Sequence, residues 1–426
     1  MRKFLSIKSV LIGIAVALAL IACARMALSY FSAGVSDALL GVSNLRQIVA
    51  QDNRTERMLM WQSDKQREFA VEYRTKDGVI QQTVKATDCS FNDADAKYLQ
   101  YKAKLQGLSD NTVYEYRLLA DGQKGTWHTL KTDAGKSFKA IIFADSQSSD
   151  YRTWQRMAAE AYKRNSDAQL YLNLGDLVDN GQDINHWRGW FEGIKGFAPD
   201  VPLAAVVGNH ETYTLDWQVG MPVSFVNMFA FPANGNEKYQ NQFYSFDYGD
   251  VHFAVVDTNY SNDFQKFQPE LKQDEIAWLE TDLANTTKPW KIILQHRDVF
   301  IYGFGAESGR EHTFDTHFIE VGQDLMPIYE KYGVNAVLSG HLHTYRRRVP
   351  LRNFEPNQQG ITYIMSGISG NVQYPKLWSD FAWDAGRAPE PEVGNYMTLE
   401  ASADKLVFRA FLIDGKQFDE VTITKH

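Results

Sequence analysis

Several apolar runs in this chain end abruptly in side chains that bind metals or shape turns. The run 141–144 ends in Asp145, Ser146 and Gln147, and later runs end in Gly-Asp, Gly-Asn-His-Glu and Gly-His-Leu-His. Such runs are typical of buried strands, and ligands of open α/β folds bind beyond the carboxyl ends of strands. The pattern predicts a metal site at one edge of a sheet, built from Asp145, Gln147, Asp176, Asn209, His210, His296, His341 and His343.

Each of these residues also has an ordinary structural interpretation. A strand-end Asp often caps a helix, an Asn often occupies a turn, and a lone His is more often a satisfied core residue than a ligand. The metal interpretation is favoured because Gly175, Gly208 and Gly340 precede three of the motifs and permit close approach of the backbone. Imidazole and carboxylate are also the ligands that borderline divalent metals prefer.

The composition fits a folded protein of two domains. The chain has 426 residues, of which 44% are hydrophobic and 13% aromatic, so it can bury a sizeable core. Its formal net charge of −8 argues against a general nucleic-acid-binding surface, which would be basic. We therefore expect no nucleic acid as a stable partner, and the oligomeric state is left open.

The N-terminus has the pattern of an export signal. Arg2 and Lys3 precede an apolar run over residues 10–22, which is shorter than a membrane-spanning helix needs. The residues before Cys23 also resemble a bacterial lipobox. Residues 1–23 are therefore a signal peptide, a lipidated N-terminus or a retained membrane anchor. We expect an exported protein of a bacterial cell envelope, either periplasmic or attached to the membrane.

Residues 24–43 are interpreted as a spacer and residues 44–133 as a small all-β domain. Short alternating strands separated by turn residues fill the second range, with Trp61 facing inward. A turn delivers Tyr114 two residues into a strand, which is the setting of a tyrosine corner. The segment resembles a fibronectin type III module of seven strands, for which we expect a structural or positioning role.

Residues 137–426 show a different periodicity. Strands near 138–144, 169–174 and 202–207 alternate with helical patterns, which predicts parallel strands joined by helices. A hairpin, two further helix–strand units and terminal strands follow. The expected architecture is a layered α/β sandwich in which helices flank two central mixed β-sheets.

The order of the motifs resembles the calcineurin-like metallophosphoesterase superfamily. Asp-x-Gln, Gly-Asp-Leu-Val-Asp, Gly-Asn-His-Glu, a strand ending in His296 and Gly-His-Leu-His follow one another between residue 138 and about residue 370. The preceding module, which contains Tyr114, looks like the N-terminal domain of purple acid phosphatases. The resemblance implies a four-layer metallophosphoesterase sandwich. It also implies metal-dependent hydrolysis of a small phosphorylated substrate, with phosphomonoesters favoured over phosphodiesters.

The resemblance further implies how two divalent metal ions would be held. Asp145 and His343 would hold the first ion, and Asp176 would bridge both ions. A hydroxide between the ions would then attack phosphorus. The ligands implied for the second ion are Asn209, His296 and His341.

Other implied roles concern the substrate. His210 matches the histidine that lies near the leaving group in this family, which it would protonate or stabilise. Glu211 would orient His210. Arg297 would bind the substrate phosphate with its fork of donors or, with equal weight, lie on the surface. The loop 300–317 is expected to lie over the site and to select the substrate.

Two positions depart from the family. Most members have His where this chain has Gln147, whose amide oxygen is a poorer donor for borderline metals, so Gln147 either ligates or only lines the site. Purple acid phosphatases carry a tyrosinate ligand where this chain has Asp179, which we interpret as lying behind the ligands or as a structural residue. The metals are therefore expected to be a divalent pair of Mn, Fe or Zn. The alternative function is a catalytically impaired binding module of the cell envelope.

Overall fold

The computed structural model describes residues 35–76, 78, 80–261, 263–301, 318–389 and 393–425. The expected export segment 1–23, with Cys23, lies outside these residues, as does most of the loop 300–317 that was predicted to lie over the site. Within the described ranges, no helix has the length and apolar character needed to cross a membrane.

The strands and helices of the described residues are numbered separately in chain order. The strands are β1 Val42–Ile48, β2 Glu56–Ser63, β3 Phe69–Thr75, β4 Ile80–Lys85, β5 Thr87–Asp88, β6 Phe91–Asp93, β7 Ala96–Tyr98, β8 Gln100–Gln106, β9 Val113–Ala120, β10 Gln123–Lys124, β11 His128–Lys131, β12 Phe138–Phe143, β13 Leu170–Asn173, β14 Leu203–Ala205, β15 Tyr244–Tyr248, β16 Val251–Val255, β17 Trp290–Leu294, β18 Ala336–Ser339, β19 Arg346–Arg348, β20 Leu351–Arg352, β21 Glu355–Pro356, β22 Thr362–Met365, β23 Asp384–Arg387, β24 Asn395–Ala401, β25 Lys405–Leu412 and β26 Gln417–Thr424. The helices are α1 Arg152–Arg164, α2 Ile184–Ile194, α3 Val223–Met228, α4 Leu271–Asn285 and α5 Glu320–Lys331.

The largest sheet has ten strands in the order β26-β25-β24-β12-β13-β14-β1-β2-β8-β5. Its strands β12, β13 and β14 run parallel, and α1 and α2 connect them. Parallel neighbours need such crossovers because the chain must return to the same end of the sheet. The alternation of strands and helices predicted over residues 138–207 is therefore confirmed.

A seven-stranded sheet, in the order β15-β16-β17-β18-β22-β19-β23, packs against the first sheet. On β17, Ile292 and Leu294 lie in a core shared with Ile142 of the ten-stranded sheet. Ile293, between them, packs with Leu279 of α4. Because strand side chains alternate between the two faces, this pattern gives layers of helix, sheet, sheet and helix. The expected four-layer sandwich is confirmed.

The N-terminal strands form a smaller sandwich. A sheet in the order β10-β9-β3-β4, with β11 beside β9, packs against β1, β2 and β8 over a core that includes Trp61 and Phe69. Trp61 is fully buried, as predicted. The hydroxyl of Tyr114 accepts a hydrogen bond from Ser109 N at 2.8 Å, which is the predicted tyrosine corner.

The two domains share one continuous sheet, which the sequence pattern did not reveal. β1 pairs in parallel with β14 through Ile48 and Leu203, and Val49 N donates to Leu203 O at 3.1 Å. β1 begins at Val42, inside the range 24–43 that was interpreted as a spacer. The N-terminal domain is therefore joined to the second domain by backbone hydrogen bonds as well as by side-chain packing.

Candidate metal centre

The predicted site residues lie on loops at the carboxyl ends of strands from both large sheets. In the ten-stranded sheet, β12, β13 and β14 lead into Asp145, Asp176 and Asn209. In the seven-stranded sheet, β17 and β18 lead into His296 and His341. The prediction of a single sheet edge is therefore wrong. Strand periodicity identifies where a strand ends, but not the sheet into which that strand pairs.

These loops bring together two groups of potential ligands. In one group, ligand atoms of Asp176, His296 and His341 lie within 4.8 Å of one another. In the other group, the same limit holds for Asp145, Asp176 and His343. Asp176 belongs to both groups. The division matches the two metal positions that the family resemblance implies, with Asp176 as the shared carboxylate.

Three potential ligand atoms, one of them on His296, lie close together. Its Nδ1 donates to Leu174 O at 2.9 Å, which leaves Nε2 as a lone-pair donor when the ring is neutral. This Nε2 lies 3.1 Å from Asp176 Oδ2 and 3.1 Å from Asn209 Oδ1. A cation between these three lone-pair atoms would satisfy all of them. In metal sites, the ring nitrogen of a histidine that does not bind the metal usually donates a hydrogen bond, as Nδ1 does here. This donor set therefore fits a metal ion.

The neighbouring donor set is arranged around Asp145. Its Oδ1 accepts from His341 N at 2.8 Å, whereas its Oδ2 is buried with no hydrogen-bond partner among the described residues. His343 Nδ1 donates to Val372 O at 2.5 Å, and His343 Nε2 lies 3.8 Å from Asp145 Oδ1. A buried carboxylate oxygen is costly unless it is paired or coordinates a metal. This second donor set also fits a metal ion.

Burial and neighbouring charges set the protonation of the ligands. Burial lowers the pKa of His343 to about 4. Burial and the Arg297 charge hold the pKa of His341 well below its ordinary value, so both imidazoles are neutral, as ligands must be. Burial and the charge of Asp176 raise the pKa of Asp145 well above its ordinary value. Burial acts in the same direction on Asp176, but nearby histidines outweigh it and lower the pKa of Asp176.

Four of the predicted ligands hold a backbone conformation that is uncommon outside glycine. The φ angle is +51° at Asp145, +50° at Asp176, +80° at His341 and +55° at His343. Such conformations persist where the surrounding structure enforces them, and they cluster at functional sites. Gly208 shows how close the loops approach, because a Cβ atom there would lie 2.2 Å from Asp176 Oδ1. The tight approach expected at this glycine is confirmed.

His210 is held between Gln147 and Asp179. Its Nδ1 donates to Asp179 O at 2.7 Å, and its Nε2 accepts from Gln147 Nε2 at 3.2 Å. Gln147 Oε1 is buried and has no hydrogen-bond partner within the described ranges. The Gln147 side chain therefore contacts His210 through its nitrogen, and its oxygen remains available to bind a metal ion. Asp179 lies behind His210 and contacts it through its backbone oxygen.

Glu211 does not orient His210, contrary to the expectation from sequence. Its side chain turns back into the protein and ties the loop after β13 to the loop after β14. Burial and a neighbouring negative charge raise the pKa of Glu211 to about 8, against the effect of its hydrogen-bond donors. At distances of 2.7 to 3.1 Å, its carboxylate accepts from the backbone N–H groups of Asp176, Leu177, Val178 and Gly208.

Arg297 lies beside the ligands rather than on the protein surface. Its Nη1 donates to His341 Nε2 at 2.9 Å, and its backbone N donates to Thr258 Oγ1 at 3.0 Å. His341 Nδ1 is buried and has no partner in the part of the chain that the structure describes. The guanidinium therefore orients His341 through one ring nitrogen and leaves the other as a potential donor to a metal.

Two tyrosines beside the site were not predicted from sequence. The ring of Tyr213 packs edge-on against His210, with centroids 5.0 Å apart. The ring of Tyr374 stacks on His343 at the same centroid distance of 5.0 Å. Both side chains reach the site from loops, where no periodic pattern indicates which way a residue faces.

Two sequence profiles agree with this fold and with the two groups of potential ligands. The sequence profile of the calcineurin-like phosphoesterases matches residues 138–345, and that of the purple acid phosphatase N-terminal domain matches residues 43–132. The chain therefore has a calcineurin-like metallophosphoesterase domain, preceded by a domain of the purple acid phosphatase N-terminal type.

Individual relatives are purple acid phosphatases. The chain is 25% identical over 318 residues to purple acid phosphatase 18 of Arabidopsis thaliana, a match that spans 72% of this chain and 67% of the relative. It is 27% identical over 281 residues to probable inactive purple acid phosphatase 24 of the same plant, spanning 58% of this chain and 43% of the relative. The fold is similar to that of purple acid phosphatase PPD1 from yellow lupin seeds, with a TM-score of 0.75 and 21% identity over 90% of this chain and 74% of the other.

Proposed function

We propose that this protein hydrolyses phosphate esters with two divalent metal ions and favours phosphomonoesters over phosphodiesters. The observation that carries the proposal is the membership of Asp176 in two donor groups at once. Two ions about 3.5–4 Å apart can stabilise both the attacking and the leaving oxygen of an in-line displacement. The match to the calcineurin-like phosphoesterases supports the same chemistry.

The donor atoms suit borderline divalent metals, for which we propose Mn, Fe or Zn. When bound, such ions would polarise the phosphoryl group and lower the pKa of an attacking water. The neutral imidazoles of His341 and His343 would supply lone pairs, and the carboxylates would balance the positive charge. The side chains proposed to hold the ions are Asp145, Gln147, Asp176, Asn209, His296, His341 and His343.

His210 is proposed to act on the leaving group. Its Nδ1 is engaged by Asp179 O, so Nε2 is the ring atom that can exchange a proton with the ester. A protonated Nε2 would donate to the departing alkoxide instead of accepting from the Gln147 amide, and the hydrogen bond from Nδ1 to Asp179 O would hold the ring in place. The guanidinium of Arg297, which already contacts His341, would stabilise negative charge on the transferring phosphoryl oxygens.

The test is hydrolysis by the purified chain in the presence of Mn²⁺ or Zn²⁺. We expect turnover of p-nitrophenyl phosphate, slower turnover of bis-p-nitrophenyl phosphate, and loss of activity in Asp176→Asn. The matched control is Asp110→Asn, because Asp110 is an exposed residue of the N-terminal domain that pairs with Arg54. Metal analysis of the same preparations should show about two ions in wild type, and fewer in Asp176→Asn. A chain that turns over neither ester with any divalent metal contradicts the proposal.

A second candidate function is a binding module without turnover. One relative is named as probably inactive, and Gln147 replaces a residue that most family members have as His. This candidate requires that phosphate or a phosphonate binds with micromolar to millimolar affinity while no ester is cleaved. Calorimetry with inorganic phosphate, run beside the activity assay, separates the two candidates.

We also propose that the chain is exported and that residues 1–23 direct it to the cell envelope of a bacterium. The charged and apolar pattern of this segment supports the proposal. Fractionation after expression in a bacterial host and the mass of the mature N-terminus test it. Release from the membrane by Cys23→Ala would identify lipid attachment, whereas an unchanged membrane fraction would identify a retained anchor.

A further inference from the structure

A short hairpin beside His210 exposes a tryptophan next to the proposed reaction site. Tyr213 and Val219 form an antiparallel bridge, and Thr214 N donates to Gln218 O at 2.9 Å. Trp217 lies in the turn of this hairpin and is 55% exposed. The large indole ring is therefore displayed to solvent rather than packed into a core.

The hairpin is fixed to the loop that follows β13, which carries Asp176. Asn180 Nδ2 donates to Thr214 O at 2.7 Å, and Leu215 N donates to Gln182 Oε1 at 3.1 Å. These hydrogen bonds hold the hairpin backbone on one side of the metal centre. The Trp217 side chain therefore starts from a defined position, which limits the entropy lost when a ligand stacks on it.

The tryptophan is linked to the reaction site by one intervening ring. The centroid of Trp217 lies 6.0 Å from that of Tyr213, and Tyr213 packs edge-on against His210 at 5.0 Å. The Tyr213 hydroxyl lies 3.4 Å from Asn209 Nδ2. Aromatic surface thus continues outward from the side of the centre on which the leaving group is proposed to lie.

Exposed apolar surface is concentrated on this hairpin and the residues directly after it. Of the seven large apolar side chains that are exposed among the described residues, three lie on residues 215–221, namely Leu215, Trp217 and Met221. Trp217 also has a φ angle of +57°, a conformation that bulky residues rarely adopt and that glycine or asparagine adopts more easily. An indole displayed at such a turn beside a reaction site is suited to stacking on a ligand.

We propose that Trp217, with Tyr213 beneath it, is a specificity subsite for a flat aromatic or heteroaromatic group on the phosphate ester. The proposal rests on the proposed function and names its substrate class. With phosphorus at the two donor groups and the leaving oxygen at His210, the organic group extends toward the hairpin. An aryl group or a nucleobase can stack on the indole there, whereas a small alkyl phosphate gains nothing from it.

The kinetic test compares Trp217→Ala with wild type, using the full chain loaded with Mn²⁺. We expect kcat/KM for 1-naphthyl phosphate and adenosine monophosphate to fall about tenfold, mainly through KM. A tenfold change corresponds to about 1.4 kcal/mol, which is within the range of aromatic stacking. Glycerol 2-phosphate should be unaffected. A larger loss for 1-naphthyl phosphate would identify an aryl group as the occupant, and a larger loss for adenosine monophosphate would identify a nucleoside. An unchanged ratio between ring-bearing and alkyl esters overturns the proposal.

Two further variants separate the subsite from folding effects. Trp217→Gly removes the indole while suiting the positive φ angle, and it should reproduce the loss seen with Trp217→Ala. Phe267→Ala removes another exposed aromatic ring, at 40% exposure, and should change neither class of ester. A loss of equal size in Phe267→Ala would contradict a specific role for Trp217.

Binding of compounds that cannot be hydrolysed decides the proposal without turnover. Calorimetry should show that naphthylmethylphosphonate binds more tightly than methylphosphonate to wild type, and that Trp217→Ala loses about tenfold of this advantage. An equal advantage in both proteins overturns the subsite. Absence of turnover of every ester by wild type contradicts the proposed function instead, and the phosphonate result still decides on the subsite.

Discussion

The amide nitrogen of Gln147 lies 3.2 Å from Nε2 of His210. The residue that departs from the superfamily pattern therefore contacts the residue proposed to act on the leaving group. Its amide oxygen is buried and has no hydrogen-bond partner among the residues that the structure describes. A substitution at this position consequently reports both on metal binding and on the orientation of His210.

Replacing Gln147 by His should tighten metal binding about tenfold, because imidazole is a stronger donor than a neutral amide for borderline metals. Titration calorimetry with Mn²⁺ or Zn²⁺ measures the change. Gln147→Ala is the matched control, and we expect it to bind metal no more tightly than wild type. Weaker binding in Gln147→His, or loss of its fold, would place Gln147 away from the metal.

Replacing His210 by Ala should reduce turnover most for esters with poor leaving groups. We expect kcat to fall about 100-fold for glycerol 2-phosphate, which needs a proton on the departing oxygen, and much less for p-nitrophenyl phosphate, which does not. Elemental analysis should show unchanged metal content. His128→Ala, in the N-terminal domain, serves as the control. Equal losses for the two esters would argue that His210 acts only on the phosphoryl oxygens.

Replacing Glu211 by Gln should destabilise the protein and weaken metal binding. The carboxylate accepts four backbone hydrogen bonds that join the loops after β13 and β14. In glutamine an NH2 group replaces one of the two oxygens, so two of those N–H groups would face a donor instead of an acceptor. We expect a loss of about 3 kcal/mol in the free energy of unfolding. Urea denaturation of wild type and Glu211→Gln under identical conditions measures it. An unchanged midpoint would show that the loops are held together by other contacts.

Local sequence patterns predicted much of the fold and most of the residues that the structure brings together at the candidate site. Trp61 and Tyr114 were assigned correctly because strand alternation and turn spacing are local properties. The pairing of β1 with β14 was missed because pairing between distant strands leaves no mark in either strand alone. The prediction that Glu211 orients His210 was wrong for a related reason. Its partners are backbone N–H groups, which every residue carries, so no residue type signals the contact.

A buried histidine outside the metal centre should make the stability of the protein depend on pH. His252 Nδ1 lies 2.8 Å from Asp247 Oδ1, and its Nε2 lies 2.8 Å from Asp282 Oδ2. Burial alone would lower the pKa of His252, but the hydrogen bonds and charges of the two carboxylates outweigh it and raise the pKa to about 9. The charged imidazole thus joins the β15–β16 hairpin to α4.

The stabilisation from this histidine should be fully present below pH 6.5, the pKa of an unperturbed histidine, and should be lost as the pH rises through about 9. At pH 6 we expect the free energy of unfolding of His252→Gln to be about 2 kcal/mol lower than that of wild type. The full pKa shift would correspond to a larger difference, but Asp247 is partly exposed to solvent, which weakens the interaction. Urea denaturation at pH 6, 8 and 10 should show this difference shrinking as the pH rises. Asp282→Asn should lose much of the same pH-dependent stability, since it removes one of the two charges that hold the proton. A difference between wild type and His252→Gln that stays constant from pH 6 to pH 10 would show that His252 is neutral in the folded protein.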